Sequence, residues 1–233
     1  MPSLPNQTKS IESGLVQMTS ISCILFDLDG TLYDSLAYNE YFDSKMRAIV
    51  AEFLHVDLND ATGLLRERRK EYGTLTRAMG SLGINRLEFH RLVAEHVDPT
   101  IYLSSDRRTR EVIDHLRERG LKVGLVSNSG RELVRKILNA LSLPPQLFDV
   151  IVTGTDVEPK PSHQPFLLAL EQIGCDRAHT MYVGDREETE LRPAHELGLK
   201  TVLIARTADR EHPPKWADVT IKNIAELEKV IIN

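Results

Sequence analysis

Cysteine is almost missing from this chain: 233 residues hold 2, Cys23 and Cys175. So sparse a pair builds neither a disulfide framework nor a cysteine metal site, and it fits a reducing, cytoplasmic compartment. Cys23 lies inside an apolar run and reads as a small core residue. No apolar stretch approaches the length of a membrane span. Positive charge is in deficit as well, with 29 Lys and Arg against 34 Asp and Glu and a net charge of -5. That balance argues against a nucleic-acid partner or an anionic membrane. What remains is 41% hydrophobic and 27% charged, the mixture of an ordinary globular protein. Residues 1–20 are polar, with Pro2 and Pro5 and no hydrophobic signal core, and are expected to form a disordered leader.

"ILFDLDGTLYDS", Ile24 to Ser35, is an apolar strand text that ends in two acids. Asp27 and Asp29 stand two residues apart, so on an extended chain their carboxylates project the same way. Like charges held together disfavour the doubly ionised state unless something neutralises them, and a cation is the expected answer. From Leu36 to Ser104 the text turns helical and charged, with helices expected over Tyr38–Leu54, Leu58–Tyr72 and Leu87–His96. From Ser105 onward short apolar runs alternate with helical stripes: "KVGLVS", "DVIVTG", "TMYVGD", "TVLIA" and "DVTI" read as strands. The alternation predicts an α/β fold, a doubly wound parallel sheet covered on both faces. A core from residues 21–35 and 105–233 would then carry an inserted all-helical unit at 36–104.

Ligands of open parallel sheets bind beyond the carboxyl ends of the strands. The residues just past each expected strand are Asp27 and Asp29, Ser127 and Asn128, Thr153 and Gly154, then Gly184 and Asp185, with Lys160 in a following loop. Every exit carries a polar, chargeable or glycine residue.

"DLDGT", "VSNS", "EPKPS" and "YVGDREETE", in that order, resemble the four motifs of the haloacid dehalogenase-like (HAD) hydrolase superfamily, from about Ile21 to the C-terminus. The resemblance implies a Rossmann-like core with a helical C1-type cap, and a Mg2+-dependent phosphomonoesterase working through an aspartyl-phosphate. It implies Asp27 as nucleophile and Asp29 as general acid and then base, the residue that separates phosphatases from dehalogenases. Ser127 and Lys160 would grip the phosphoryl group with the amides of Asn128 and Ser129, while Thr31 supports Asp29 and Gly30 relieves the turn. The metal set would be drawn from Asp27, Asp29, Asp185 and Glu190, where Glu190 stands in place of the family's usual second Asp. "YGTLTRAMGSLGI" resembles the pyrimidine 5'-nucleotidase branch, which makes a nucleoside 5'-monophosphate the first substrate expectation and Tyr72 and Arg77 the substrate-binding cap residues. A phosphoglycolate or phosphosugar phosphatase is the alternative, and a non-catalytic phospho-acceptor domain a more distant one.

Other features read as ordinary. His90 and His96 lack the one-turn spacing of a helical zinc pair, and "RERRK" at 66–70 reads as a solvated helix face. Tyr33, Tyr38, Tyr41 and Phe42 suit either core packing or a cleft wall.

Overall fold

The structure, a computed structural model, describes residues 21–206 and 214–231, so the leader expected at 1–20 lies outside the described residues. Strand β1 (Cys23–Phe26) is fully buried, as an unbroken apolar text requires of a strand covered on both faces. It sits at the centre of a sheet with β2 (Lys122–Val126), β3 (Val150–Val152), β4 (Thr180–Gly184), β5 (Lys200–Ile204) and β6 (Val219–Ile221). The order is β3-β2-β1-β4-β5-β6 and every pairing is parallel. The chain fills one side of β1, then crosses to the other. That reversal opens a crevice at the carboxyl ends of β1 and β4. Phe26 pairs with Leu125 and with Val183, so Asp27 leaves the sheet beside Gly184.

Between β1 and β2 come α1 (Leu36–Leu54), α2 (Leu58–Tyr72), α3 (Leu75–Ser81), α4 (Arg86–His96) and α5 (Arg107–Glu118). Ser35 caps α1 and Asp106 caps α5, each accepting from a backbone N–H of the first turn. Helix α3 was not expected from the sequence. It has only seven residues with Gly80 among them, too short for a periodic stripe, and is started by the Thr74 cap. Then follow α6 (Arg131–Ala140), α7 (Gln164–Ile173), α8 (Arg192–Glu196) and α9 (Leu227–Val230). Helix α8 is preceded by a π turn over Glu187–Leu191, in which Glu190 is buried. Among the described residues no helix is long and apolar enough to cross a membrane.

The inserted helices share the sheet's hydrophobic core: Met46, Ile49, Met79 and Phe89 belong to the same buried cluster as Ile24 and Phe26. Two cationic side chains tie the insert down. Arg86 of α4 donates to the carbonyls of Gly154 and Val157 beyond β3, each at 2.5 Å. Lys136 of α6 donates to the carbonyls of Ala94 and Val97, at 2.5 and 3.2 Å. Leu125 of β2 has no exposed surface and lies in that shared cluster. Leu125→Ala is expected to cost about 3 kcal/mol, as buried leucine truncations do, measured as a lower denaturant midpoint at unchanged slope.

Candidate active site

Asp27 follows β1, and its Oδ1 accepts from Lys160 Nζ at 2.6 Å. The same ammonium reaches Glu190 Oε1 at 3.1 Å, the Val126 carbonyl at 3.0 Å and the Tyr182 hydroxyl at 2.8 Å. An ammonium has three donors, so four acceptors leave none of them free. Lys160 is 1% exposed. Burial works against its charge, yet Asp27 and Glu190 outweigh that and hold its pKa above the ordinary value. Asn128 positions it: the amide side chain donates to the Lys160 carbonyl at 2.9 Å and accepts from the Lys160 N–H at 2.8 Å.

Oxygens of Asp27, Asp185 and Glu190 lie within 4.8 Å of one another. Asp27 Oδ2 and Asp185 Oδ1 are buried and have no hydrogen-bond partner among the described residues. Two orphaned carboxylate oxygens facing one centre are costly without a cation, and a divalent ion held by few carboxylates suits them. Glu190 differs, because Lys160 occupies its Oε1 while the amides of Asp185 and Arg186 donate to its Oε2 at 3.2 and 3.4 Å. It holds the turn that aims Asp185. Burial, with Asp27 adding to it, pushes the Asp185 carboxyl up to about 6 and raises that of Glu190 as well, while the Lys160 ammonium pulls it back toward the charged form. Two glycines permit the close approach. A Cβ on Gly30, whose φ is +86°, would stand 2.4 Å from Asp185 Oδ2, and one on Gly184 would stand 2.4 Å from Glu190 Oε2.

The Asp29 carboxylate lies outside that acidic group, so a place for Asp29 in the expected metal set would rest on a backbone carbonyl there rather than on its side chain. The chain bends at Leu28, between the two acids, and the Asp29 carboxylate meets hydroxyls instead. Tyr33 donates to Oδ1, and Ser129 donates to Oδ2 at 3.0 Å with Ser127 at 3.5 Å. Burial, then the charge of Asp27, raises its pKa against the pull of these donors. Thr31, expected to support Asp29, has a hydroxyl with no partner among the described residues. The Ser129 amide is engaged by Ser127 Oγ at 3.0 Å and α6 begins only at Arg131, so Asn128 and Ser129 do not open the helix as expected.

A cavity of 340 Å³ joins this cluster to the inserted helices. Asp27, Asp29, Asn128, Ser129 and Glu190 line its floor, and Tyr38, Phe42, Asp43, Arg69 and Phe89 form the facing wall. Tyr72 and Arg77, expected as substrate-binding, do not line it. Tyr72 ends α2 and is 38% exposed, while Arg77 reaches Glu158 at 3.6 Å. His90, read as ordinary, does line it, and burial beside Arg86 lowers its pKa to about 4. Its spacing along α4 carried no sign of this, because its neighbours Gly130 and Gly154 come from distant segments.

Acids gather at the switch point of the α/β sheet around the buried Lys160 ammonium, an arrangement suited to a hydrolytic enzyme. Residues 24–204 match the model of the haloacid dehalogenase-like hydrolases, and the chain belongs to that family. It is 26% identical to a glyceraldehyde 3-phosphate phosphatase of Methanocaldococcus jannaschii over 91% of this chain and 98% of that protein. It is 32% identical to a phosphoglycolate phosphatase of Aquifex aeolicus over 77% of this chain and 83% of that protein. In fold it resembles a HAD phosphatase from Thermococcus onnurineus, with a TM-score of 0.70 at 24% identity, covering 90% and 97% of the two chains.

Removing one partner of a buried charge network leaves the others uncompensated. Lys160→Met is expected to lower stability by about 3–5 kcal/mol near pH 7, read by chemical denaturation. A loss under about 1 kcal/mol would show that the acids do not need this ammonium.

Proposed function

We propose that the chain is a Mg2+-dependent phosphomonoesterase acting on a small phosphorylated metabolite through an aspartyl-phosphate. The observation that carries this is the division of labour between two acids two residues apart. Asp27 has one oxygen fixed by Lys160 and one unpartnered, while Asp29 is turned aside among hydroxyls with a raised pKa. The residues 36–104 serve as the cap over this centre.

Asp27 and Asp185 would hold the Mg2+, with Glu190 supporting Asp185. The ion supplies charge neutralisation for the phosphoryl group and its nucleophile. An oxygen of the Asp27 carboxylate attacks phosphorus, and the bond from phosphorus to the ester oxygen breaks. Asp29 gives its proton to the departing oxygen, which leaves as the alcohol. Water then attacks the aspartyl-phosphate and Asp29 takes the proton, so inorganic phosphate departs and Asp27 is restored. Lys160 acts on the phosphoryl group through the Asp27 carboxylate it holds, Asn128 acts by fixing Lys160, and Ser127 acts through the Asp29 carboxylate.

For the substrate, the phosphoglycolate or phosphosugar class replaces the nucleoside 5'-monophosphate expected first. The named relatives act on short esters, and Tyr72 and Arg77, which carried the nucleotidase resemblance, stand outside the cavity. The wall rings are also engaged with one another, Tyr38 lying 5.7 Å from Tyr33 and 6.2 Å from Phe42, so they offer no open slot for a base.

Asp27→Asn is expected to abolish hydrolysis of p-nitrophenyl phosphate and of short phosphoesters in the presence of Mg2+; retained turnover in a clean preparation would remove the nucleophile. The pH dependence has a definite sign. Asp185 must be ionised to bind a cation and its pKa stands near 6, so protons compete with the metal below that value. The half-saturating Mg2+ concentration is expected to rise by up to about tenfold per pH unit below 6 and to flatten above it, measured as activity against Mg2+ across pH.

A further inference from the structure

We propose that the ion pair between Asp43 and Arg69 selects the leaving group, and that this group is uncharged and hydroxylated, the alcohol portion of a short phosphorylated polyol or sugar. The proposal rests on the phosphatase reading above and adds to it a substrate class and two specificity residues.

Asp43 of α1 and Arg69 of α2 both line the cavity on the wall facing the acids. Arg69 Nη1 donates to Asp43 Oδ1 at 2.8 Å. Among the described residues the only other arginine lining the cavity is Arg186, at the acid end, 3.9 Å from Asp185. A carboxylate on the leaving group would therefore meet a guanidinium already compensated and the Asp43 charge beside it. Juxtaposed like charge is how a site rejects a ligand. Hydroxyls meet no such obstacle. The pair offers a fork of donors and a carboxylate acceptor side by side, which is the complement of neighbouring hydroxyl groups.

A second, independent observation points the same way. Tyr38 is 2% exposed, lines the cavity, and its hydroxyl has no hydrogen-bond partner among the described residues. A buried polar group left single in a folded protein calls for an explanation, and here a hydroxyl or carbonyl oxygen of the substrate supplies one without bringing charge. Thr74 and Thr76 add two more neutral side chains to the same wall, and Phe42 and Val93 cover a carbon skeleton.

The test compares glycerol 3-phosphate with 3-phosphoglycerate, which differ by a hydroxymethyl group in place of a carboxylate. The Arg69 and Asp43 side chains are 41% and 46% exposed, so solvent screens their charge. The purified protein with Mg2+ is expected to favour glycerol 3-phosphate in kcat/KM by about fivefold, the scale of a partly exposed charge pair. Asp43→Asn frees the Arg69 charge and is expected to swing that ratio toward 3-phosphoglycerate by about fivefold, mainly through KM. Arg69→Gln leaves Asp43 uncompensated and should move the ratio the opposite way. Thermal unfolding checks that both variants are folded; if Asp43→Asn is not, the wild-type ratio and Arg69→Gln decide. A wild-type preference for 3-phosphoglycerate overturns the proposal, as does a ratio that moves less than about twofold in the folded variants. Hydrolysis of p-nitrophenyl phosphate but of neither ester overturns the leaving-group assignment while the phosphatase reading stands. No hydrolysis of any of the three removes both.

Discussion

One buried ammonium organises this molecule's chemistry. Lys160, 1% exposed, sits where burial would ordinarily strip its charge, and it keeps that charge because Asp27 and Glu190 flank it. The dependence runs the other way too. Asp27 and Glu190 are themselves buried, and without the ammonium two carboxylates would face each other in a medium that does not screen them. The cluster forms only as a whole, and each partner comes from a different strand exit: β1, the loop beyond β3, and the turn after β4.

From that constraint the rest of the floor follows. With Oδ1 of Asp27 taken by Lys160, its Oδ2 is left without a hydrogen-bond partner among the described residues. Glu190 is longer than the aspartate usual at its position in the family. The extra reach lets it touch Lys160 with one oxygen and the Asp185 and Arg186 amides with the other, so it braces the centre. Asp29 leaves the cluster because the chain bends at Leu28, between the two acids, and hydroxyls rather than a lysine receive it. The same two-residue text thus yields acids of different character, separated by surroundings rather than by residue type.

Much of the fold was legible early. Apolar runs of strand length between helical stripes announced a parallel sheet, which the structure has in all five pairings. Asp27, Ser127, Lys160 and Asp185 were found by asking what stands just past each strand. Helix α3 was missed because seven residues carry no periodic signal, and Glu190 stayed ambiguous because a π turn has no sequence signature. The hydroxyl contacts of Tyr33 and Ser129 with Asp29 and the cavity position of His90 were not legible for a further reason. The value of these side chains lies in what they face, and those partners are contributed by other segments.

Local chemistry therefore determined which residues could serve: strand periodicity, capping side chains and acids at strand ends act over a few positions, where the chain's own geometry dictates the outcome. Tertiary structure alone decided how they are paired. The match of Lys160 to Asp27, the exclusion of Tyr72 and Arg77 from the cavity and the meeting of Asp43 with Arg69 depend on sheet order and helix packing. Electrostatic and packing energies follow distance in space, which separation along the chain does not encode.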